Sequence, residues 1–68
     1  MPERLANRLK DRRTELGLTQ AELAERVGVT RKTVNTVENG VFTPSATLAI
    51  KLAKALELSV EQLFWIER

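Results

Sequence analysis

A chain of 68 residues holds one domain with a small core. It has no cysteine and no histidine, which removes disulfides, thiolate and imidazole metal ligands, and the usual general base. The net charge of +2 is only mildly basic, no apolar run approaches the roughly 18 residues of a membrane span, and the start, MPERLANRLK, lacks the uncharged apolar centre of a signal peptide. Stability must therefore come from packed helices, aided by self-association.

The periodicity predicts a first helix from Pro2 or Glu3 to Leu16, with Leu5, Leu9 and Leu16 on one face and Ala6 beside it. Pro2 suits the first turn, where its missing N–H costs nothing. Arg13 falls on the apolar stripe, four residues after Leu9, and so requires a partner. Gly17 provides the left-handed residue that ends a helix. Thr19-Gln20-Ala21-Glu22 is a capping box that opens a second helix, with Leu23, Ala24 and Val27 inward. Gly28 stops it and Val29 plugs the corner.

Thr30 is placed to cap a third helix, whose inward residues are Val34 and Val37. Glu38 lies next to that face and is the expected ion-pair partner of Arg13, tying the first helix to the third. The rest of the third helix is dense in small polar and cationic side chains: Arg31, Lys32, Thr33, Asn35, Thr36 and then Asn39. Gly40 ends it. After the loop Val41–Pro44, Ser45 caps a fourth helix, expected over about Ala46 to Glu57, with Leu48, Ala49, Leu52, Ala53 and Leu56 inward. Ser59-Val60-Glu61-Gln62 is a second capping box and begins a short fifth helix carrying Val60, Leu63 and Phe64. The tail, Trp65–Arg68, is too short to organise further. No alternating strand pattern is present, so the expected fold is all-α: a compact bundle of about five short helices forming a single domain over residues 1–68.

Charge is unevenly spread. Arg4, Arg8, Lys10, Arg12 and Arg13 crowd the first predicted helix and Arg31 and Lys32 open the third, while Glu57, Glu61 and Glu67 lie near the C-terminus. An oriented contact with a polyanion needs such a bias. An enzyme is disfavoured, because the chain has no phosphate-binding glycine loop and no paired carboxylates in a plausible cleft. No cofactor, metal or small-molecule ligand is indicated.

The stretch LGLTQAELAERVGVTRKTVNTVENG resembles the DNA-binding unit of the Cro/phage-repressor family, also called the Xre family, and TPSATLAIKLAKALELSVEQLF resembles its usual continuation. The resemblance covers residues 5–64 and implies a lambda-repressor-like domain whose helix-turn-helix occupies about residues 19–39. It implies a small transcriptional repressor or regulator that binds double-stranded DNA in the cytoplasm, on the nucleoid, of a bacterium or archaeon or encoded by a phage. In that geometry the N-terminal part of the second motif helix meets base edges in the major groove. Arg31, Lys32 and Thr36 are the expected base contacts. Arginine and lysine favour guanine and a threonine methyl favours thymine. Gln20, Thr30, Thr33, Asn39 and Thr43 are the expected phosphate contacts, with Arg8 and Arg12 as weaker candidates. Capping alone also accounts for Thr30 and helix termination for Asn39. Asn35 is set outside the contact group.

The chain stops four residues after Phe64, without the separate C-terminal domain of longer repressors. A homodimer is therefore expected to use surplus apolar residues of the bundle: Ile50, Val60, Phe64, Trp65 and Ile66, with Phe42 also in excess. Such a dimer would set two recognition helices about 34 Å apart on a near-palindromic operator. The alternatives are a DNA-binding antitoxin of a toxin–antitoxin pair and a protein-interaction module built on the same fold.

Overall fold

The apolar stripes of the helices converge on one cluster: Leu9, Leu18, Leu23, Ala24, Val27, Val34, Val37, Leu52, Ala53, Leu56, Leu63 and Phe64 are all buried. In the computed structural model, which describes residues 2–68, most of these side chains come from five helices, with Leu18 and Leu56 in the connections between them and Phe64 in a C-terminal strand. The helices are α1 (Leu9–Glu15), α2 (Gln20–Val27), α3 (Arg31–Glu38), α4 (Ala46–Ala55) and α5 (Val60–Leu63). Leu5, Leu16, Val29, Leu48, Ala49 and Val60 pack against the cluster from its rim. The mostly helical architecture agrees with the sequence expectation.

Helix starts follow the caps. Thr19 Oγ1 accepts the Glu22 N–H at 3.0 Å and Glu22 Oε1 accepts the Thr19 N–H at 2.9 Å. The same reciprocal pair joins Ser59 and Gln62. Thr30 and Ser45 accept from Thr33 and Leu48. Each bond satisfies backbone donors that the first turn leaves open.

The two ends of the chain depart from the expectation. Arg4–Asn7 is a strand, β1, and not the first turns of a helix; Phe64–Glu67 is a strand, β2, and not an unorganised tail. They pair antiparallel, with Arg4 opposite Glu67, Leu5 opposite Ile66, Ala6 opposite Trp65 and Asn7 opposite Phe64. The cause is Asn7. Its Oδ1 accepts the Leu9 N–H at 3.0 Å and so starts α1 there, while Arg8 N–H donates to the Leu63 carbonyl at 3.1 Å. A side-chain acceptor two residues ahead of an N–H competes with helix propagation. The partner strand lies some sixty residues away, so no local pattern announces the pairing.

Phe64 is buried at 5% exposure and belongs to the core, which removes it from the expected dimer surface. Strand alternation turns Phe64 inward beside Asn7 and leaves Trp65 on the opposite face. The fourth helix also ends earlier than expected, at Ala55 with Leu56 as its cap residue. Glu57 then takes a left-handed conformation, φ 60°, and the N–H groups of Glu57 and Leu58 bond to the carbonyls of Lys54 and Ala53. That pattern closes a helix, normally on glycine. Arg12, a weaker candidate for phosphate contact, instead turns inward: its Nε donates to the Leu56 carbonyl at 2.8 Å at this same helix end.

Candidate nucleic-acid interface

The helix-turn-helix is made by α2, a turn at Gly28–Thr30, and α3. Gly28 sits at φ 76°, a left-handed position that favours glycine, and the Val29 N–H returns to the Ala24 carbonyl at 3.0 Å. Leu23, Ala24 and Val27 of α2 meet Val34 and Val37 of α3, all buried. This apolar seam fixes the angle between the helices. It leaves the first turn of α3 projecting, with Arg31 and Lys32 exposed. Neither cation forms an ion pair among the described residues.

Behind α3 stands the ion pair expected from the sequence. Arg13 Nε donates to Glu38 Oε2 at 2.6 Å and Nη2 donates to Oε1 at 3.3 Å. Arg13 Nη1 also donates to the Leu18 carbonyl at 2.8 Å. The two side chains are 12% and 2% exposed, so α1 and the C-terminal end of α3 are joined across the interior by a bidentate contact. No buried side-chain polar atom among the described residues lacks a hydrogen-bond partner.

The structure places the remaining expected contact residues as follows. Gln20, half-buried at the start of α2, donates to Glu38 Oε1 at 3.1 Å and accepts from Arg31 Nη1 at 3.3 Å. Thr30 is exposed and caps α3, and its hydroxyl lies 3.0 Å from that of Thr33. Thr36 is half-buried and donates its hydroxyl to the Thr33 carbonyl at 2.9 Å. Asn39 is exposed, and its amide donates to Asn35 at the backbone oxygen and at Oδ1. Thr43 is exposed in the loop that leads to α4. Arg8 is exposed. Arg31, Lys32, Thr30, Thr33, Thr36 and Asn39 thus share one short helix and its caps, and Gln20 is drawn to them through Arg31.

Two features escaped the sequence reading. The link from Gln20 to Glu38 spans 18 positions and leaves no spacing signature. Val41 is 77% exposed beside the half-exposed Phe42, because both N–H groups fold back onto the Thr36 carbonyl and pin the loop with its side chains outward. An apolar Val-Phe pair in a Gly/Pro-flanked loop was the available signal.

Glu22, in the capping box of α2, binds its proton less readily than an ordinary glutamate. Its pKa is lowered from the ordinary 4.5 chiefly by the Thr19 backbone N–H, then by the Thr19 hydroxyl and Arg26. Among the described residues no cluster of acidic side chains is arranged to hold a metal, and no helix is long and apolar enough to cross a membrane.

Comparison with known proteins follows the same lines. The helix-turn-helix family profile matches residues 9–63. The chain is 43% identical over 63 residues to an uncharacterized HTH-type transcriptional regulator, YgzD, of Bacillus subtilis, covering 93% of this chain and 96% of the relative. It is 39% identical over 59 residues to the antitoxin HipB of Escherichia coli, covering 87% of this chain and 63% of HipB. Among solved structures it is similar to the P22 c2 repressor protein in complex with a synthetic operator, with a TM-score of 0.77 and 31% identity, covering 79% of this chain and 82% of the other. The chain belongs to the helix-turn-helix family of transcriptional regulators.

Proposed function

We propose that the protein is a sequence-specific double-stranded DNA-binding repressor that lays α3 in the major groove. The observation that carries this is the first turn of α3, where Arg31 and Lys32 are exposed and form no ion pair among the described residues while Val34 and Val37 anchor the opposite side of the same helix. Arg31 and Lys32 contact base edges, with guanine O6 and N7 as the fitting acceptors. Thr36 adds a contact one turn on. Its hydroxyl hydrogen is already engaged by the Thr33 carbonyl, so a thymine methyl suits its remaining surface. Gln20, Thr30, Thr33, Asn39 and Thr43 hold phosphates around the groove. For Asn39 this requires its amide to exchange a bond to Asn35 for one to phosphate. The P22 c2 repressor, similar in structure, is bound to an operator. The family is one of transcriptional regulators and not of enzymes, in agreement with the sequence reading.

A homodimer on a near-palindromic operator completes the reading. Ile50 and Phe42 are each 48% exposed, Trp65 40% and Ile66 59%. With Phe64 removed to the core, Ile50, Val60, Trp65 and Ile66 are the residues left for a two-fold contact. Selection of bound sites from a random DNA pool tests both parts. The expected product is a pair of inverted half-sites about one helical turn apart; recovery of no common sequence would defeat the proposal.

The similarity to HipB supports a second reading, in which the DNA-binding chain is the antitoxin of a toxin pair. A stoichiometric partner that co-purifies from the native source and whose activity this chain neutralises would favour it.

A further inference from the structure

Gln20 stands between the buried ion pair and the exposed start of α3. Its Nε2 donates to Glu38 Oε1 at 3.1 Å, and its Oε1 accepts from Arg31 Nη1 at 3.3 Å. Glu38, 2% exposed, is held from the other side by Arg13 Nε and Nη2. A carboxylate clamped by a guanidinium is an acceptor only, so the amide facing it must present its NH2. That choice turns the amide oxygen toward α3. Arg31 is a donor only, and the oxygen is the end of Gln20 that it can use. Both ends of Gln20 are thereby assigned by charge, and the order Arg13–Glu38–Gln20–Arg31 runs unbroken from the interior to the outer face.

We infer that Glu38 is a positioning residue for base recognition: it sets the orientation of the Gln20 amide, and through it the direction in which Arg31 is presented to DNA. The inference rests on the base-reading role proposed for Arg31. Arginine has many rotamers, and a side chain held in a binding conformation loses less freedom when it binds. Glu38 itself is shut in behind α3 and has no path to a base. Gln20 keeps a second amide hydrogen for phosphate, so positioning and phosphate contact are compatible at this residue. The base read by Arg31 thus depends on residues 20 and 38 as well as on residue 31.

The test is competition binding to the selected operator and to its single-base variants, with wild type, Arg31→Ala, Gln20→Ala, Glu38→Gln and the double variant Gln20→Ala/Glu38→Gln, each with its melting temperature. Arg31→Ala identifies the base pair concerned. At that pair, Gln20→Ala and Glu38→Gln should each weaken discrimination by about three- to tenfold, the equivalent of one net hydrogen bond. Discrimination elsewhere should hold, and Glu38→Gln should add nothing to Gln20→Ala. Equal loss on every operator variant, or additive effects in the double variant, would assign Glu38 a purely structural role and overturn the inference. Unchanged discrimination in Gln20→Ala, with Arg31→Ala effective, would overturn the inference alone. An Arg31→Ala protein with unaltered base preference would remove the reading beneath it. Should Glu38→Gln fail to fold with Arg13 unpaired, Gln20→Ala decides, because it strands no charge.

Discussion

Asn7 binds the recognition helix to the terminal sheet: its Nδ2 donates to the Val37 carbonyl at 3.0 Å while its Oδ1 accepts the Leu9 N–H at the same distance. One side chain thus ends β1, starts α1 and satisfies a carbonyl in the last turn of α3. Asn7→Ala removes the acceptor of the Leu9 N–H and leaves the Val37 carbonyl without its side-chain donor. A stability loss of about 1–3 kcal/mol is expected, from two part-buried hydrogen bonds. Urea denaturation of the two proteins measures it, and overlapping curves would show that water replaces both bonds.

Arg13 and Glu38 make a second prediction. Removing one member of a buried ion pair leaves the other without compensation, whereas removing both does not. Arg13→Met and Glu38→Leu should each cost about 3–5 kcal/mol, and the double variant should recover most of that loss. The sum of the single losses, found in the double variant, would show that the two side chains act independently.

The motif was readable because its signals are local. Thr19 with Glu22, Thr30 with Thr33, Ser45 with Leu48 and Ser59 with Gln62 each lie three residues apart, and every one of these caps is formed. The Arg13–Glu38 pair was also readable, since an arginine on one apolar stripe and a glutamate beside another need each other. The sheet was not. Arg4-Leu5-Ala6-Asn7 has helical composition and becomes a strand only because Phe64–Glu67 is brought alongside it. Phe64 was misread for the same reason: assigned to a helix, it extended an apolar surface, whereas strand alternation buries it. The Gln20 bridge depends on α2 and α3 packing side by side, which no spacing in the chain encodes.

Glu57 occupies a left-handed position that L residues reach at a cost of about 1–2 kcal/mol. It forms no ion pair among the described residues that would favour glutamate there. Glu57→Gly relieves the backbone but frees the unfolded chain, which offsets part of the benefit. A net gain of about 0.5–1 kcal/mol is expected, raising the melting temperature by roughly 2–8 °C for a domain of this size. A lower melting temperature would mean that Glu57 makes a contact that outweighs its strain.

Two carboxylates give stability a pH dependence. Glu22 is lowered from the ordinary value by the Thr19 N–H, and Glu67 by its hydrogen bond from Arg4, then by Trp65 Nε1. A depressed carboxylate adds stability above its unfolded pKa, and that contribution disappears as pH falls through the folded value. It should therefore be complete above about pH 5 and fade below the ordinary 4.5. Glu22→Gln retains a side-chain acceptor for the Thr19 N–H but cannot titrate. Its urea midpoint should change less between pH 6 and about pH 3 than that of the parent. Equal pH responses would place the titration elsewhere.

Arg31 and Lys32 separate base reading from phosphate attraction. If Arg31 reads a base edge, Arg31→Ala should weaken operator binding by about 1–3 kcal/mol and relax preference at one position, with little change in the salt slope. A phosphate contact behaves differently: its loss weakens all sequences alike and reduces the slope of log affinity against log salt by about one. Lys32→Ala is expected to follow the first pattern, because Lys32 shares the exposed first turn of α3 with Arg31. Thr43→Ala, in the loop beyond the helix, should lower affinity without changing base preference, since a hydroxyl there meets only the backbone. Affinity of the parent should fall steeply between 50 and 200 mM salt, because each neutralised phosphate releases condensed counterions. Binding that ignored salt would be incompatible with a contact led by exposed cations, and would redirect the function of α3 toward a protein partner.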